Sequence, residues 1–259
     1  MLIATFNCNS VRSRLEVILA WLHRHRPDVL ALQETKCPDD QFPTQPFADA
    51  GWHVAYCGQK RYNGVAMITR RQPEKVTFGL QDGDEGESGP RLAYIKLGPV
   101  HVLNTYIPQG RELESESFQD KLRWFERLRG YLERNFNASR MKLAWVGDLN
   151  VAPLPMDVHD SKRIWPHVCH CQEVIDAFEN VTSWGLIDVF RKHLPEAETF
   201  TFWDYRLPKA VERGLGWRID HILATRSLAR TSTDCFVDIE PRRVEKPSDH
   251  TFVGAHFDL

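Results

Sequence analysis

The chain has 259 residues, of which 42% are hydrophobic, and its formal net charge at pH 7 is −2. This length and hydrophobic content are sufficient for a sizeable buried core. A nearly balanced charge gives no overall attraction to nucleic acid, so any phosphate binding requires a local basic patch.

The cysteine spacing and the hydropathy pattern narrow the class of protein further. The six cysteines lack the dense spacing of a small secreted disulfide scaffold, so we expect reduced thiols. No basic, apolar leader opens the sequence, and no run approaches the roughly 18 apolar residues of a membrane span. We therefore expect a soluble, cytoplasmic protein without membrane contact.

The first third of the chain alternates between strand and helix patterns. A short apolar run at 2–6 predicts a first strand, and apolar residues at helical spacing predict a helix at 10–26. Residues 54–56 and 64–69 predict two paired strands joined by a polar turn. The Gly- and acid-rich stretch at 79–90 predicts an exposed connection.

The same alternation continues to the end of the chain. Further strands are predicted at 91–97, 100–105, 142–146 and 219–224, and long helices at 117–135 and 173–184. Helices mixed with antiparallel hairpins favour an α/β fold of two packed sheets with helices outside. Because the candidate site residues extend from Asn7 to His250, both chain ends must build one site, and we expect a single domain over residues 1–259.

Three apolar stretches end in groups that are suited to catalysis. They are followed by Gln33-Glu34-Thr35, Gly147-Asp148-Leu149-Asn150 and Ser248-Asp249-His250. Ligands on open α/β sheets bind beyond the carboxyl ends of the strands, so we expect these three carboxylates to meet at one rim. A carboxylate such as Glu34 and an amide such as Asn7 suit a hard cation such as Mg²⁺, although either residue alone is equally compatible with a capping role.

The Gly147 turn carries a carboxylate and an amide two residues apart. Bending of the backbone at Gly147 would let Asp148 and Asn150 face the same side, where one accepts a proton and the other donates a hydrogen bond. Phosphodiester hydrolysis needs a deprotonated water and donors toward the charged transition state. The alternative is a purely structural turn.

His250 requires a partner other than its neighbour in sequence. Adjacent side chains of a strand point to opposite faces, so Asp249 is poorly placed to orient the imidazole. Asp220, within a predicted apolar strand, is the better partner, and a buried Asp that fixes an imidazole's tautomer is a recurring catalytic arrangement. The alternative is a core Asp–His pair without catalysis.

A His/Cys cluster lies at residues 167–171. It offers four soft ligands, but such close neighbours do not easily reach one tetrahedral zinc ion. We therefore interpret this cluster as part of a surface loop.

Seven motifs in one order resemble the exonuclease III family of abasic-site DNA endonucleases, within the endonuclease/exonuclease/phosphatase superfamily. The segments are Phe6-Asn7-Cys8-Asn9-Ser10-Val11-Arg12, Leu32-Gln33-Glu34-Thr35-Lys36, Asn63-Gly64-Val65-Ala66, Asn104-Thr105-Tyr106-Ile107-Pro108-Gln109-Gly110, Gly147-Asp148-Leu149-Asn150-Val151-Ala152-Pro153, Trp217-Arg218-Ile219-Asp220 and Lys246-Pro247-Ser248-Asp249-His250. The resemblance spans nearly the whole chain. It implies a DNase I-like four-layer α/β sandwich of two packed mixed sheets flanked by helices.

The resemblance also implies roles for the matching residues. Glu34 would bind Mg²⁺ or Mn²⁺ with Asn7 and Asp249 nearby, and Asp148 would activate or position the attacking water. The remaining catalytic residues would contact the scissile phosphate or orient a group that does: Tyr106, Asn150, His250 and, orienting His250, Asp220. Asn9 and Gln109 stand where some relatives carry Asp and Asn, which alters the metal environment and a phosphate contact.

Substrate selection follows from the same resemblance. Phe202, Trp217 and Ile219 match a small pocket for an extrahelical sugar, which selects abasic sites because an intact nucleotide does not fit. Ordinary core packing is the alternative for these apolar residues. Further polar residues in the candidate rim segments could bind phosphates along the duplex: Arg12, Lys36, Lys60, Arg61, Gln109, Arg111 and Arg218.

The expected function is Mg²⁺-dependent hydrolysis of the phosphodiester 5′ to abasic sites in duplex DNA, leaving a 3′-hydroxyl. We also expect 3′-to-5′ exonuclease activity and the removal of 3′-blocking groups, by a monomer. A superfamily phosphatase with a non-DNA phosphoester substrate and a catalytically silent DNA-binding relative are the alternatives.

Overall fold

The computed structural model describes residues 1–83 and 89–259. The strands are β1 (Leu2–Asn7), β2 (Val29–Gln33), β3 (His53–Cys57), β4 (Val65–Thr69), β5 (Lys75–Phe78), β6 (Leu92–Leu97), β7 (Val100–Tyr106), β8 (Lys142–Asp148), β9 (Leu186–Asp188), β10 (Asp220–Thr225), β11 (Ser232–Asp238) and β12 (Phe252–Phe257). The α-helices are α1 (Leu15–His25), α2 (Thr44–Asp49), α3 (Glu116–Asn135), α4 (Ser161–Ile164), α5 (Gln172–Thr182), α6 (Val189–His193) and α7 (Arg226–Ala229).

The strands form two six-stranded sheets. Their orders are β11-β12-β1-β2-β4-β3 and β5-β6-β7-β8-β10-β9. β1 pairs with β2 in parallel, as β7 does with β8, whereas the other strand pairs are antiparallel. Both sheets are therefore mixed, as predicted.

The sheets pack face to face between two layers of helices. Ile3 and Val29 of the first sheet belong to the same buried cluster as Val102 and Val146 of the second. Helix α1 covers the outer face of the first sheet, and α3 and α5 cover the outer face of the second, each through a separate buried cluster. The prediction of a four-layer α/β sandwich is confirmed.

The helix predicted at 10–26 begins later, at Leu15. Asn9 and Ser10 have positive φ values of 43° and 92°, which no helix accommodates. The N–H groups of Ser10 and Val11 instead donate to the carbonyls of Glu34 and Thr35, at 2.8 and 3.0 Å. The start of this segment is therefore a loop tied to the end of β2.

The connection predicted at 79–90 is described only in part. Residues 81–83 are exposed, as predicted, and residues 84–88 lie outside the described residues. Among the helices that are described, none combines the length and the hydropathy needed to cross a membrane.

The topology brings the candidate residues to one edge of the sandwich. Asn7 ends β1, Glu34 follows β2, Tyr106 ends β7 and Asp148 ends β8. Asp220 begins β10 and pairs with Asp148 across an antiparallel ladder. His250 comes just before β12, which runs antiparallel to β1. The ends of parallel strands and the starts of their antiparallel neighbours therefore meet at this edge.

Candidate active site

A cluster of two carboxylates and an imidazole lies at this edge. One ligand atom each from Glu34, Asp148 and His250 lies within 4.8 Å of the others. Asn7 joins the two carboxylates, because its Nδ2 donates to Glu34 Oε1 and Asp148 Oδ2, both at 2.8 Å. Residues that are separated by more than 200 positions in sequence thus form one polar centre.

The predicted pairing of His250 with Asp220 is confirmed. His250 Nδ1 lies 2.8 Å from Asp220 Oδ2, while its Nε2 lies 3.7 Å from Asp148 Oδ2. Asp249 points elsewhere, as the strand alternation requires, and accepts a hydrogen bond from Asn9 Nδ2 at 3.0 Å. The Asp220 carboxylate therefore orients the ring and leaves Nε2 directed toward the cluster.

The turn after β8 has a backbone shape that few residues tolerate. Gly147 has φ 140°, and a Cβ there would lie 2.0 Å from the carbonyl oxygen of Thr105. Asn150 adopts the left-handed region at φ 49°, and its N–H donates to Asp148 Oδ1 at 3.0 Å. Glycine is required for the close approach, and asparagine is among the residues that accept a left-handed conformation most readily.

Burial and charge shift the protonation equilibria of these groups. Burial raises the pKa of Asp148, although the nearby His250 opposes that shift. Burial alone would lower the pKa of His250, but the carboxylates of Asp220 and Asp148 outweigh it and raise the pKa. Burial, Glu34 and Asp148 together raise the pKa of Tyr106, so its hydroxyl remains a hydrogen-bond donor. The site therefore pairs the His250 imidazolium with the Asp148 carboxylate, whose ionisation burial disfavours.

The pKa of Glu34 is shifted in the opposite direction to that of Asp148. Burial opposes its ionisation, but the Lys36 ammonium and the Asn7 amide lower its pKa. Lys36 Nζ lies 2.7 Å from Glu34 Oε2 and donates to Asn9 Oδ1 at 2.6 Å. Through Asn9 this contact chain continues to Asp249. Lys36 thus contacts the carboxylate cluster directly, whereas the sequence indicated only a role in DNA contact.

The donor set fits a hard divalent cation. Glu34 and Asp148 offer carboxylate oxygens at the centre of the cluster, close enough to share one ion. Mg²⁺ is typically held by one or two carboxylates together with substrate oxygens and water. Asn7 turns its Nδ2 to both carboxylates, so it braces them here, and metal ligation by Asn7 and Asp249 stays a prediction.

Comparison with known proteins defines the family. The family model described as "Endonuclease/Exonuclease/phosphatase family" matches residues 4–250. The chain belongs to this family. It is 32% identical to the exodeoxyribonuclease III of Haemophilus influenzae over 264 residues, covering 98% of both chains.

Two solved structures of this family are similar over their whole length. An AP endonuclease from Archaeoglobus fulgidus has a TM-score of 0.97 and 45% sequence identity, with 100% of both chains covered. A 3′-5′ exonuclease from Neisseria meningitidis has a TM-score of 0.94 and 38% identity, again covering 100% of both chains. The predicted relationship to the exonuclease III family is confirmed.

The three apolar residues predicted to form a sugar pocket lie together. Phe202, Trp217 and Ile219 share a small cluster with Ala152 and Val158, close to the catalytic turn. The Phe202 ring lies 4.9 Å from the His250 ring, centroid to centroid. The structure thus places an apolar wall directly beside the polar cluster, and its contact with a sugar stays a prediction.

His167 contacts this wall, which the sequence did not indicate. Its ring centroid lies 4.7 Å from that of Trp217. Burial, with Lys121 and His170, lowers the pKa of His167 to about 4, so the ring is neutral at physiological pH. Fifty positions separate His167 from Trp217, and no local pattern reports such a contact.

The surface-loop interpretation of residues 167–171 is wrong. Residues 168–171 are buried in the described structure. His170 Nδ1 lies 2.7 Å from the Ala152 carbonyl and its Nε2 2.8 Å from Ser161 Oγ, and Cys169 packs against Asn150. Their apolar and hydrogen-bonding contacts tie the segment to the catalytic turn.

Most of the predicted DNA-contacting residues lie on the surface. Exposed side chains are those of Arg12, Lys60, Arg61, Gln109 and Arg111. Arg12 bonds Gln41 and Gln109 accepts from the Arg111 backbone, so neither is committed to a buried contact. Their accessibility is compatible with phosphate contacts, which stay a prediction.

Arg218 is the exception, and the prediction that it binds DNA phosphate is wrong. It is 1% exposed. Its Nε lies 2.6 Å from Asp157 Oδ1 and its Nη1 2.9 Å from Asp188 Oδ2. The fully buried Asp157 and the partly buried Asp188 both pair with this cation, so the guanidinium holds internal segments together and has no access to a ligand.

Proposed function

We propose that this protein is a metal-dependent DNA repair phosphodiesterase that acts on abasic or 3′-blocked duplex DNA. The observation that carries the proposal is the arrangement of Asp148, His250 and Asp220. A carboxylate and an oriented imidazolium face the same point, 3.7 Å apart, beside a second carboxylate from Glu34. Such a pair can take a proton from water and stabilise charge on the phosphoryl oxygens at once.

The residues divide the reaction between them. Asp148 takes a proton from the attacking water, the water oxygen bonds to phosphorus, and the bond from phosphorus to the 3′ oxygen breaks. His250, held by Asp220, donates toward the phosphoryl oxygens as negative charge develops. Asn150 and the protonated Tyr106 hydroxyl donate to the same group. The 3′ oxygen leaves and takes up a proton from solvent water, giving a 3′-hydroxyl, and Asp148 returns its proton to solvent.

Mg²⁺ is the proposed cation, with Mn²⁺ as a substitute. Glu34 and Asp148 would hold it, and Asp249 would contribute through the Asn9 and Lys36 contacts or by direct ligation. When bound, the cation supplies Lewis-acid stabilisation of charge on the phosphate. The hard oxygen ligands of the cluster support this assignment.

Duplex DNA is the proposed partner. The exposed side chains of Arg12, Lys60, Arg61 and Arg111 would contact backbone phosphates on both sides of the site. A related Neisseria 3′ phosphatase, 38% identical over the whole chain, has been solved bound to a product DNA hairpin. Work on chromosomal DNA would place the protein at the nucleoid in a prokaryote.

One contact favours processing of 3′ ends as a second candidate for the main activity. An internal abasic sugar would have to enter the space beside Trp217, where the neutral His167 ring already lies, tilted against the indole at a centroid distance of 4.7 Å. A terminal 3′ phosphate or nucleotide reaches Asp148 and His250 without turning a sugar out of a continuous strand. Abasic incision and 3′-end processing therefore place different demands on His167.

We propose that the whole chain acts as one catalytic domain and as a monomer. The site draws on both chain ends, and the Met1 amino group donates to the Phe257 carbonyl, which links the termini across one sheet. Light scattering at assay concentrations should give the mass of a single chain.

The deciding experiment uses labelled duplexes with one tetrahydrofuran abasic analogue, with a 3′-phosphate, or without damage. Each is incubated with Mg²⁺ or EDTA, with wild type and with Asp148→Asn. We expect Mg²⁺-dependent cleavage that the variant loses. Release of phosphate from a phosphorylated inositol with no action on DNA would instead support the phosphatase alternative, and binding without cleavage would support a silent relative.

His167→Ala separates the two candidate activities. If His167 limits entry to the sugar pocket, the variant should gain incision at the internal analogue while its 3′-phosphatase rate changes little. An unchanged ratio of the two rates would contradict that role for His167. His23→Ala, an exposed histidine on α1, is the matched control.

A further inference from the structure

A buried lysine lies behind the catalytic turn. Lys121, on α3, is 0% exposed. Its ammonium donates to the carbonyls of Asn150 and Val168, each at 2.6 Å, and of Gln109 at 3.2 Å. A lysine ammonium has three donors, so three carbonyls satisfy it fully. These carbonyls belong to three separate loops that meet at the site.

Burying an ammonium group costs free energy, and its hydrogen bonds to the three carbonyls at this site offset that cost. A charged group in the interior destabilises the fold unless it is fully hydrogen-bonded. Methionine would fill the same volume without that cost, so packing alone does not require lysine here. What the charge adds is a fixed link between the Asn150 turn, the Gln109 loop and residue 168.

The neighbouring thiol completes the contacts of Asn150. Cys169 Sγ lies 3.8 Å from Lys121 Nζ and 3.7 Å from Asn150 Oδ1. Burial raises the pKa of Cys169, so the group is a thiol that can donate to the amide oxygen. On its other side, Asn150 Nδ2 donates to the Ile107 carbonyl at 3.0 Å.

These contacts determine which way the Asn150 amide faces. Rotating the amide by half a turn would place Nδ2 against the thiol and Oδ1 against the Ile107 carbonyl, which has no hydrogen to donate. In the observed orientation one N–H of Nδ2 is used by Ile107, and the second remains for a ligand. The backbone of Asn150 is fixed by Lys121 and its side chain by Cys169.

We propose that Lys121 and Cys169 are positioning residues that hold the Asn150 amide toward the scissile phosphate. Lys121 fixes the backbone of the turn, and Cys169 fixes the orientation of the amide, so that its second N–H meets the transition state without reorganisation. The inference rests on the proposed function, in which Asn150 contacts that phosphate.

The test compares substitutions in the wild-type and Asn150→Ala backgrounds. Lys121→Met and Cys169→Ala should each lower kcat, by roughly 10- to 100-fold for the lysine and about 10-fold for the thiol, with KM nearly unchanged. Cys169→Ser keeps a donor and should recover most of the rate. Cys171→Ala removes a nearby buried thiol that forms no hydrogen bond with Asn150 in the described structure, and it should match wild type.

In the Asn150→Ala background both losses should largely disappear, because residues that act through one group are not additive. Losses that multiply in full would overturn the inference while leaving the function intact. Equal effects of Cys169→Ala and Cys171→Ala would also overturn it. If Asn150→Ala itself turns over like wild type, the proposed phosphate contact fails. If thermal unfolding shows that Lys121→Met does not fold, the comparison of the two Cys169 variants with Cys171→Ala decides whether the Asn150 amide is positioned by its neighbours.

Discussion

Two buried clusters of charge meet at the beginning of β10, and they are built in opposite ways. Asp220 and His221 are neighbours on this strand, so they point to opposite faces. Asp220 enters the catalytic cluster with His250 and Asp148. His221 instead lies 3.2 Å from Arg218, within an ionic cluster that also contains Asp157 and Asp188.

The ionic cluster is balanced, whereas the catalytic cluster is not. Arg218 and Arg191 face Asp157 and Asp188, and burial is outweighed by these cations, so both carboxylates have lowered pKa values. In the catalytic cluster burial dominates, and the pKa of Asp148 is raised. Among the described residues, Asp220 Oδ1 is buried without a hydrogen-bond partner. Matched charge therefore stabilises the scaffold, while unmatched charge is kept where a cation and a phosphate are to bind.

The substitution Asp148→Asn in the catalytic cluster should have the largest effect on activity. Loss of the proton acceptor should lower kcat by about 10³- to 10⁴-fold. The free energy of unfolding should fall by no more than about 1 kcal/mol, because the folded state already disfavours the ionised carboxylate. Single-turnover cleavage and urea unfolding measure the two quantities. A large loss of stability would show that Asp148 belongs with the scaffold charges.

Arg218→Met should have the reverse effect. Removing the cation leaves Asp157 with Arg191 as its remaining cation and Asp188 without its arginine, and breaking such a pair typically costs about 3–5 kcal/mol of unfolding free energy. At a temperature where the variant remains folded, its kcat should fall far less than that of Asp148→Asn. Arg12→Met removes an exposed arginine and should change stability by no more than about 0.5 kcal/mol. Equal effects of the two substitutions would contradict the interior role of Arg218.

These two clusters also mark what the sequence could reveal and what it could not. Asp148, His250 and Asp220 were found because each stands next to a short apolar run, and strand alternation excluded Asp249 as the partner of His250. The layered fold followed from the same periodicity. Arg218 was misassigned because its motif position indicated the rim, whereas Asp157 and Asp188 lie 61 and 30 residues away and draw it inside.

His167, Lys121 and Cys169 escaped sequence reasoning for a similar reason. Lys121 sits on a helical face with ordinary periodicity, and nothing local distinguishes it from a solvated lysine. Its partners are backbone carbonyl oxygens, which every residue type has, so the sequence does not mark them. Contacts between distant loops become visible only when the fold brings them together.

Mg²⁺ should shift the acid limb of the pH–activity profile, because the cation and the Asp148 carboxylate share one cluster. Burial raises the pKa of Asp148, so with little metal the carboxylate ionises, and activity rises, only as the pH passes that raised value. A divalent cation beside the carboxylates favours the ionised form. Increasing Mg²⁺ at constant ionic strength should therefore move the acid limb of log kcat/KM to lower pH by about one to three units. If the acid limb stays at the same pH as Mg²⁺ increases, the cation site does not include Asp148.

The smallest effect is expected from Arg111→Ala, which removes an exposed charge near the rim. An exposed arginine that contacts one phosphate adds affinity without changing the chemistry, so Kd for duplex DNA should rise several-fold while kcat at saturation stays unchanged. The slope of log Kd against log salt should decrease by about one, because one fewer counterion is released. Arg140→Ala, at another exposed arginine far along the chain, serves as the control. If both variants keep the wild-type slope, Arg111 makes no phosphate contact, and DNA must be held by other members of the exposed set.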